Sequence, residues 1–373
     1  MSPMLADPTH PRVLMTADAV GGVWTYAMDL AAGLTARGAQ VTVAVLGPAM
    51  RDWHRHDARA RGVDIIARDC RLEWMPGCWD DVDRTGEWLL SVADGCKADI
   101  VHLNGYAHAA LPWSTPVVTV AHSCVRTWWR GVHGEDAPPE WDVYTGRVAA
   151  GLAAADLVIA PTAALLNEII REYGVTTRSQ VIPNGSAAVT AMQASNVVEP
   201  TDDLVFSAGR FWDDAKNVSA LSAAAPSVPW PVYIAGDVEG PGGRCVSSGS
   251  VHCLGALPPR ALAAWFQRAA IYALPARYEP FGLSVLEAAA AGCALVLGDI
   301  RTLRENWSGA ALFVPPDNHR ALARAINELI GDAELRRHLA AAARERASKF
   351  TVDGMVGTYQ SAYAGLLESA AAA

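Results

Sequence analysis

"RVLMTADAVGGVWTYAMDLAAGLTARG", residues 12–38, holds a whole unit of architecture. It opens on a short apolar run, places Gly21 and Gly22 next to each other, and continues as an alanine- and leucine-rich stretch up to Gly38. That order reads as strand, tight loop and helix, with Gly38 as the residue just past the helix end. A second apolar run, "QVTVAVL", follows at once. Two strands joined through a helix pair in parallel, and a parallel sheet must be covered by helices on both faces.

The same alternation extends along the chain. "VDIIA", "DIVHL", "PVVTVAH", "LVIAP" and "QVIP" follow, and after them "LVFSAG", "PVYIAG", "IYALP", "ALVLG" and "ALFVP". Between the two groups, around residues 183–203, lies a polar, turn-rich segment that reads as a linker. With 373 residues the chain exceeds what one hydrophobic core serves. The expected fold class is α/β, with two doubly wound parallel-sheet domains and a cleft between them, ligands lying beyond the carboxyl ends of the strands. The expected boundaries are 1–185, 186–350 and 351–373. The last segment carries Val356, Tyr359, Tyr363 and Leu367 at helical spacing. It is expected to pack as a helix back across the domain boundary, before a frayed "SAAAA" tail.

Composition narrows the function. The chain is 51% hydrophobic and 18% charged, which is a compact protein and not a disordered one. A net charge of −9 argues against a nucleic-acid partner, which would call for a basic surface. Seven cysteines without a C-x-x-C pair suit reduced thiols better than a disulfide framework or a zinc site. The opening "MSPMLADPTHPR" has neither the basic nor the apolar region of a signal peptide. "VAAGLAAADLVIAPTAALL" is interrupted by Asp156 and Pro161 and falls short of a membrane span. A cytoplasmic protein with at most peripheral membrane contact is expected. Residues 51–88 mix arginine, histidine and tryptophan. They read as a solvated helix face followed by half-buried loop aromatics, with an acceptor or membrane-surface site as the sharper alternative.

Chemistry concentrates in three places. In "YEPFGLSVLEAAAAG", residues 278–292, a helix is predicted to begin near Leu283, because Pro280 cannot continue one from upstream and Gly282 allows close approach to the backbone. Its first amides and the helix dipole make a phosphate site, with Glu279 outside and Glu287 one turn inside, both able to face the ligand. In "VFSAGRFWDDAKN" a strand ends at Gly209 and is followed by Arg210 and Lys216, a fork and a point charge suited to a diphosphate. Gly21 and Gly22 form a third phosphate-compatible loop, although G-x-G-x-x-G is absent.

The glycine loop, His122 after "PVVTVA", the G-R…K loop and "EPFGLSVLE" stand in the order and spacing of retaining glycosyltransferases of the GT-B fold, family 4, which the chain resembles over nearly its whole length. The resemblance implies two Rossmann-like domains, the first on the acceptor side and the second binding a nucleotide-sugar donor. By it, Arg210 and Lys216 bind the donor diphosphate, Glu287 the ribose hydroxyls and Glu279 the donor sugar. The amides of Phe281, Gly282 and Leu283 hold sugar and phosphate, Gly22 approaches the β-phosphate or the acceptor, and His122 contacts the sugar near its reacting centre. One departure stands out. Many relatives carry R-x4-K followed by glycine, whereas here five residues separate Arg210 from Lys216 and Asn217 replaces the glycine, so the loop is one residue longer and the reach of Lys216 to the phosphates less direct than that of Arg210.

The reaction implied by this resemblance is a hexosyl transfer with retention, by front-face attack on a nucleotide-sugar, with fixed cations and amides stabilising the departing diphosphate. No metal and no cofactor beyond the substrate is expected, a UDP-sugar being favoured over a GDP-sugar. "DVD" at 81–83 matches a metal-binding pattern but falls in what reads as a tryptophan-rich loop, and His54 and His56 are read as equally bland. Glu279 is not read as a double-displacement nucleophile, since Glu287 belongs to the ribose. The acceptor is a carbohydrate, a lipid-linked or a small-molecule hydroxyl compound, in glycan or glycoconjugate synthesis. Alternatives are an epimerase or phosphorylase of the same fold, or a catalytically silent sugar-nucleotide binding subunit.

Overall fold

The computed structural model describes residues 10–194, 202–239 and 250–372. It divides into two compact units. The first comprises the chain through Trp129, Asp136–Gly185 and the segment from Val352 onward, and the second comprises Arg130–Glu135 and Ser186–Thr351.

In the first unit β1 (Arg12–Asp18), β2 (Gln40–Gly47), β3 (Asp64–Asp69), β4 (Ile100–Leu103), β5 (Val117–Val120), β6 (Leu157–Ala160) and β7 (Ser179–Val181) form one sheet. Its order is β3-β2-β1-β4-β5-β6-β7, and the pairings are parallel. The register places Leu14 beside Thr42 on one side and Val101 on the other. The helix after β1 runs Gly22–Ala36 and stops at Gly38, whose φ of 94° is the left-handed geometry predicted for it. Thr162 caps the helix Ala163–Tyr173 by accepting the Leu165 N–H at 3.2 Å.

The second unit repeats the plan. β8 (Asp202–Ala208), β9 (Val232–Ala235), β10 (His252–Cys253), β11 (Ala269–Leu274), β12 (Ala294–Gly298) and β13 (Ala311–Val314) form a parallel sheet of order β10-β9-β8-β11-β12-β13. Strand alternation feeds two cores. Ile271, Ala273 and Val296 lie in one apolar cluster, while Tyr272, Leu274, Leu295 and Leu297 lie in the other. Both faces of the sheet are therefore covered, as near-continuous apolar strands require. The two orders reverse direction at β1/β4 and at β8/β11, and each reversal opens a crevice at the strands' carboxyl ends.

Several elements differ from the sequence reading. The segment taken as a linker contains a helix, Ala187–Ala194, that packs on Leu283–Ala291, and its residues 195–201 lie outside the described ones. The helix Val352–Ala372 runs on through the alanines taken as frayed. Val356, Tyr359 and Tyr363 on it are fully buried within the first unit, where a β-carbon on Gly33 would lie 2.5 Å from Val356 Cγ2. Residues 81–83 are not loop but the first turn of the helix Trp79–Cys96. Among the described residues no helix is long and apolar enough to cross a membrane, and the six described cysteines are unbridged.

Candidate active site

The second unit gathers its predicted residues at the β8/β11 reversal. Gly282, at φ 89°, is the N-cap of a helix running Leu283–Ala291, so the helix starts where the sequence placed it. A β-carbon at Gly282 would lie 3.1 Å from Val285 Cγ2 and 3.3 Å from Leu303 Cδ2, so the left-handed conformation calls for glycine and a side chain would also crowd both neighbours. Phe281 is buried, and its carbonyl accepts the Asn306 amide at 3.3 Å. Glu279 is buried just upstream, its backbone carbonyl accepting the Thr302 hydroxyl at 2.5 Å. Glu287 is half-buried on the helix, one turn beyond Leu283.

Lys216 reaches this corner in spite of the longer loop. Its Nζ donates to Glu279 Oε2 at 2.5 Å, the two side chains being 13% and 11% exposed. The aliphatic stem runs over Gly209, where a β-carbon would meet Lys216 Cγ at 3.5 Å. Asn217, in place of glycine, has φ 56°, and asparagine is among the few residues with a side chain that tolerate this left-handed geometry. Its amide also donates to the carbonyls of Pro275 at 2.9 Å and Pro316 at 2.8 Å, tying the loop to the end of β11. Arg210 is more exposed, 3.4 Å from Asp213 and with its guanidinium 5.5 Å from the Trp212 ring centre. Tyr272 on β11 was not singled out from the sequence. Its hydroxyl lies 3.1 Å from the Ala208 carbonyl and 2.8 Å from Ser284 Oγ, joining the strand before Arg210 to the helix after Gly282. Burial keeps that phenol protonated.

In the first unit Gly22 opens the helix after β1 and is exposed. His122 follows β5. Its ring meets Tyr26 edge-on at 4.6 Å between centroids, and its Nε2 is 2.8 Å from Asn104 Oδ1. Asn104 donates Nδ2–H to the Thr16 carbonyl at 2.6 Å, which fixes the amide with its oxygen toward His122. The imidazole therefore carries its proton on Nε2 and keeps a lone pair on Nδ1. His122 is half-buried, and desolvation lowers its pKa, with the nearby His102 adding to the effect. His102, which the sequence reading passed over inside "DIVHL", is fully buried, with Nδ1 2.6 Å from the Tyr363 hydroxyl and Nε2 3.2 Å from Asn104. Desolvation lowers its pKa to about 4.

Of the remaining candidates, Asp81, Asp83 and His54 have other partners. Asp81 accepts the Arg71 N–H at 3.1 Å and pairs with Arg84, while Asp83 pairs with Arg147, so each carboxylate of D-V-D faces an arginine. His54 is buried and stacked on Trp53 at 3.6 Å, its Nδ1 accepting the Arg51 N–H at 3.1 Å, and His56 is exposed.

Two Rossmann-like parallel-sheet domains, one bearing a lysine and an arginine beside a glycine-opened helix, define the GT-B architecture of glycosyltransferases. Residues 20–186 match the family described as Glycosyltransferase Family 4 and residues 189–346 that of Glycosyl transferases group 1, so the chain belongs to the glycosyltransferases that join these two domains. It is 26% identical to a D-inositol 3-phosphate glycosyltransferase of Xylanimonas cellulosilytica over 408 aligned positions, covering 97% of this chain and 95% of that one. Sucrose-phosphate synthase of Thermosynechococcus elongatus superposes with a TM-score of 0.75 at 20% identity, over 96% of this chain and 100% of that one. Anabaena HepE in complex with UDP-glucose gives 0.72 at 16% identity, over 96% and 100%.

Proposed function

We propose that this glycosyltransferase moves a hexose from a nucleoside-diphosphate donor, a UDP-sugar ahead of a GDP-sugar, to an acceptor hydroxyl with retention and without a metal ion, in glycan or glycoconjugate synthesis. The observation that carries the reading is the corner at the β8/β11 reversal. There Lys216 meets Glu279 at 2.5 Å beside the start of the Leu283–Ala291 helix.

In this reading the diphosphate lies against Lys216, Arg210 and the amides of Phe281, Gly282 and Leu283, Glu279 takes sugar hydroxyls and Glu287 the ribose. Gly22 approaches the β-phosphate or the acceptor. Charge that develops on the leaving diphosphate meets groups already oriented toward it, which is how such a site lowers a barrier without a metal. Glu279, held by Lys216, is a poor nucleophile. Front-face attack therefore fits better than double displacement, a phosphate oxygen accepting the acceptor's proton. His122, neutral and with its Nε2–H given to Asn104, serves as a hydrogen-bond acceptor toward a donor-sugar hydroxyl.

The test is turnover of an α-linked UDP-hexose followed by proton NMR, with and without EDTA. An α-glycoside formed at an unchanged rate in EDTA supports the proposal. A β product contradicts retention, and complete, metal-reversible loss contradicts metal independence.

A further inference from the structure

The second unit's site occupies one of the two sheet reversals, and the first unit has its own. At the carboxyl ends of β1 and β4 lies a cavity of about 70 Å³ whose lining includes Asp18, Glu73, Thr85, Asn104 and His108. Crevices at such reversals are where open α/β sheets bind ligands.

The lining is specific in its chemistry. Glu73 accepts the amides of Tyr106 at 3.1 Å and Ala107 at 2.9 Å, and stands against Gly105, where a β-carbon would come within 3.4 Å of its Oε1. His108 donates Nε2–H to the Val82 carbonyl at 3.0 Å, and burial lowers its pKa, so it brings no positive charge. Arg71, also on the lining, is held by the Gly77 carbonyl at 2.7 Å and by Asp81 at 3.6 Å. Thr85, only 1% exposed, has a hydroxyl with no hydrogen-bond partner. A buried hydroxyl without a partner is costly, and it marks the place where a ligand would supply one.

We propose that this cavity binds the hydroxyl-bearing part of an uncharged polyol, the acceptor of the transfer, and disfavours phosphorylated acceptors. The proposal rests on the transferase reading and gives its acceptor a chemical class. Asp18 and Glu73 each keep lone pairs for hydroxyl protons, and Arg71, the cation on the lining, shares its charge with Asp81, so the lining disfavours a phosphate even though burial raises the Glu73 pKa. Thr85 adds a donor and an acceptor to the lining.

Saturation-transfer NMR on the whole protein without donor tests this, with myo-inositol, methyl α-glucoside and myo-inositol 1-phosphate as probes. The wild type and Thr85→Val are compared, with Thr85→Ser as the variant that keeps the hydroxyl. Valine matches threonine in shape and removes an unpaired hydroxyl, so the variant should melt at or above the wild-type temperature. The expected result is transfer to the neutral probes, weakened roughly 3- to 10-fold in Thr85→Val, the scale of one neutral hydrogen bond, and restored in Thr85→Ser. Equal transfer in the wild type and Thr85→Val, no transfer to either neutral probe, or tighter binding of the phosphate would overturn it. A melting rise with UDP, read in the same samples, reports on the donor reading alone. Its absence would remove that reading while the NMR result still decides this one.

Discussion

Replacing Lys216 by methionine separates the two things this side chain does. The wild-type pair is close, with Nζ 2.5 Å from Glu279 Oε2, and nearly dry, at 13% and 11% exposure. Methionine fills the volume but leaves a buried carboxylate without its cation, and breaking a buried pair on one side costs about 3–5 kcal/mol. Because both ends keep some contact with water, the lower figure applies. For a unit of this size, about 3 kcal/mol corresponds to roughly 6–12 °C in melting temperature. In Lys216→Met/Glu279→Gln the remaining amide needs no counter-charge, so most of that stability should return. Turnover should not. Both variants are expected to lose ~10²-fold or more, the scale of one transition-state charge contact. Differential scanning fluorimetry and UDP release measured on the two variants and the wild type decide the matter. A single variant that melts with the wild type, or a double variant no more stable than the single, would refute the argument from burial. Undiminished turnover would remove Lys216 from the phosphate site.

Two further outcomes concern the histidines. His102, fully buried, has a native pKa lowered to about 4, and desolvation lowers that of the half-buried His122 as well, whereas the unfolded chain takes up their protons near 6.5. The unfolded state thus binds more protons below that pH. Stability should be flat above about pH 7 and fall between pH 6.5 and 5, by up to ~1.4 kcal/mol per pH unit per histidine, in urea melts at stepped pH. A flat profile down to pH 5 would show that these rings are not held neutral in the native state. Asn104→Asp places a carboxylate against His122 Nε2 and so favours the imidazolium. An acid limb should then enter the kcat/KM profile between pH 5 and 7 that the wild type lacks, and an unchanged profile would dismiss Asn104 as the group that sets the ring's proton.

Much of the fold was legible because buried parallel strands are short, apolar and punctuated by glycine, and β10 escaped because His252–Cys253 is two exposed residues with no such run. The D-V-D helix was hidden for a related reason. "DVDRTGEWLL" has a weak apolar period and a glycine at 86, and that glycine is where the helix closes on Leu111, with 3.1 Å between a would-be β-carbon and Cδ1. The terminal alanines were read by position, although alanine is the best helix former. In the second unit the helix start, Lys216 and Arg210 could be read locally, since cap and charge are local properties. Asn104, His102, Tyr272 and Thr302 could not. Each acts through a partner remote in sequence, as Asn104 does through Thr16, 88 residues away, and a single chain carries no sign of that pairing.

The helix Val352–Ala372 completes a domain whose other strands were all laid down before residue 182. Tyr359 and Tyr363, which bond Tyr26 and His102, follow the whole second unit in the chain. The nascent first domain therefore waits, with its aromatic seam open, while the second is synthesised and free to fold. Order of synthesis and order of completion are inverted in this chain, and a chain cut after Thr351 would carry a finished second domain attached to an unfinished first.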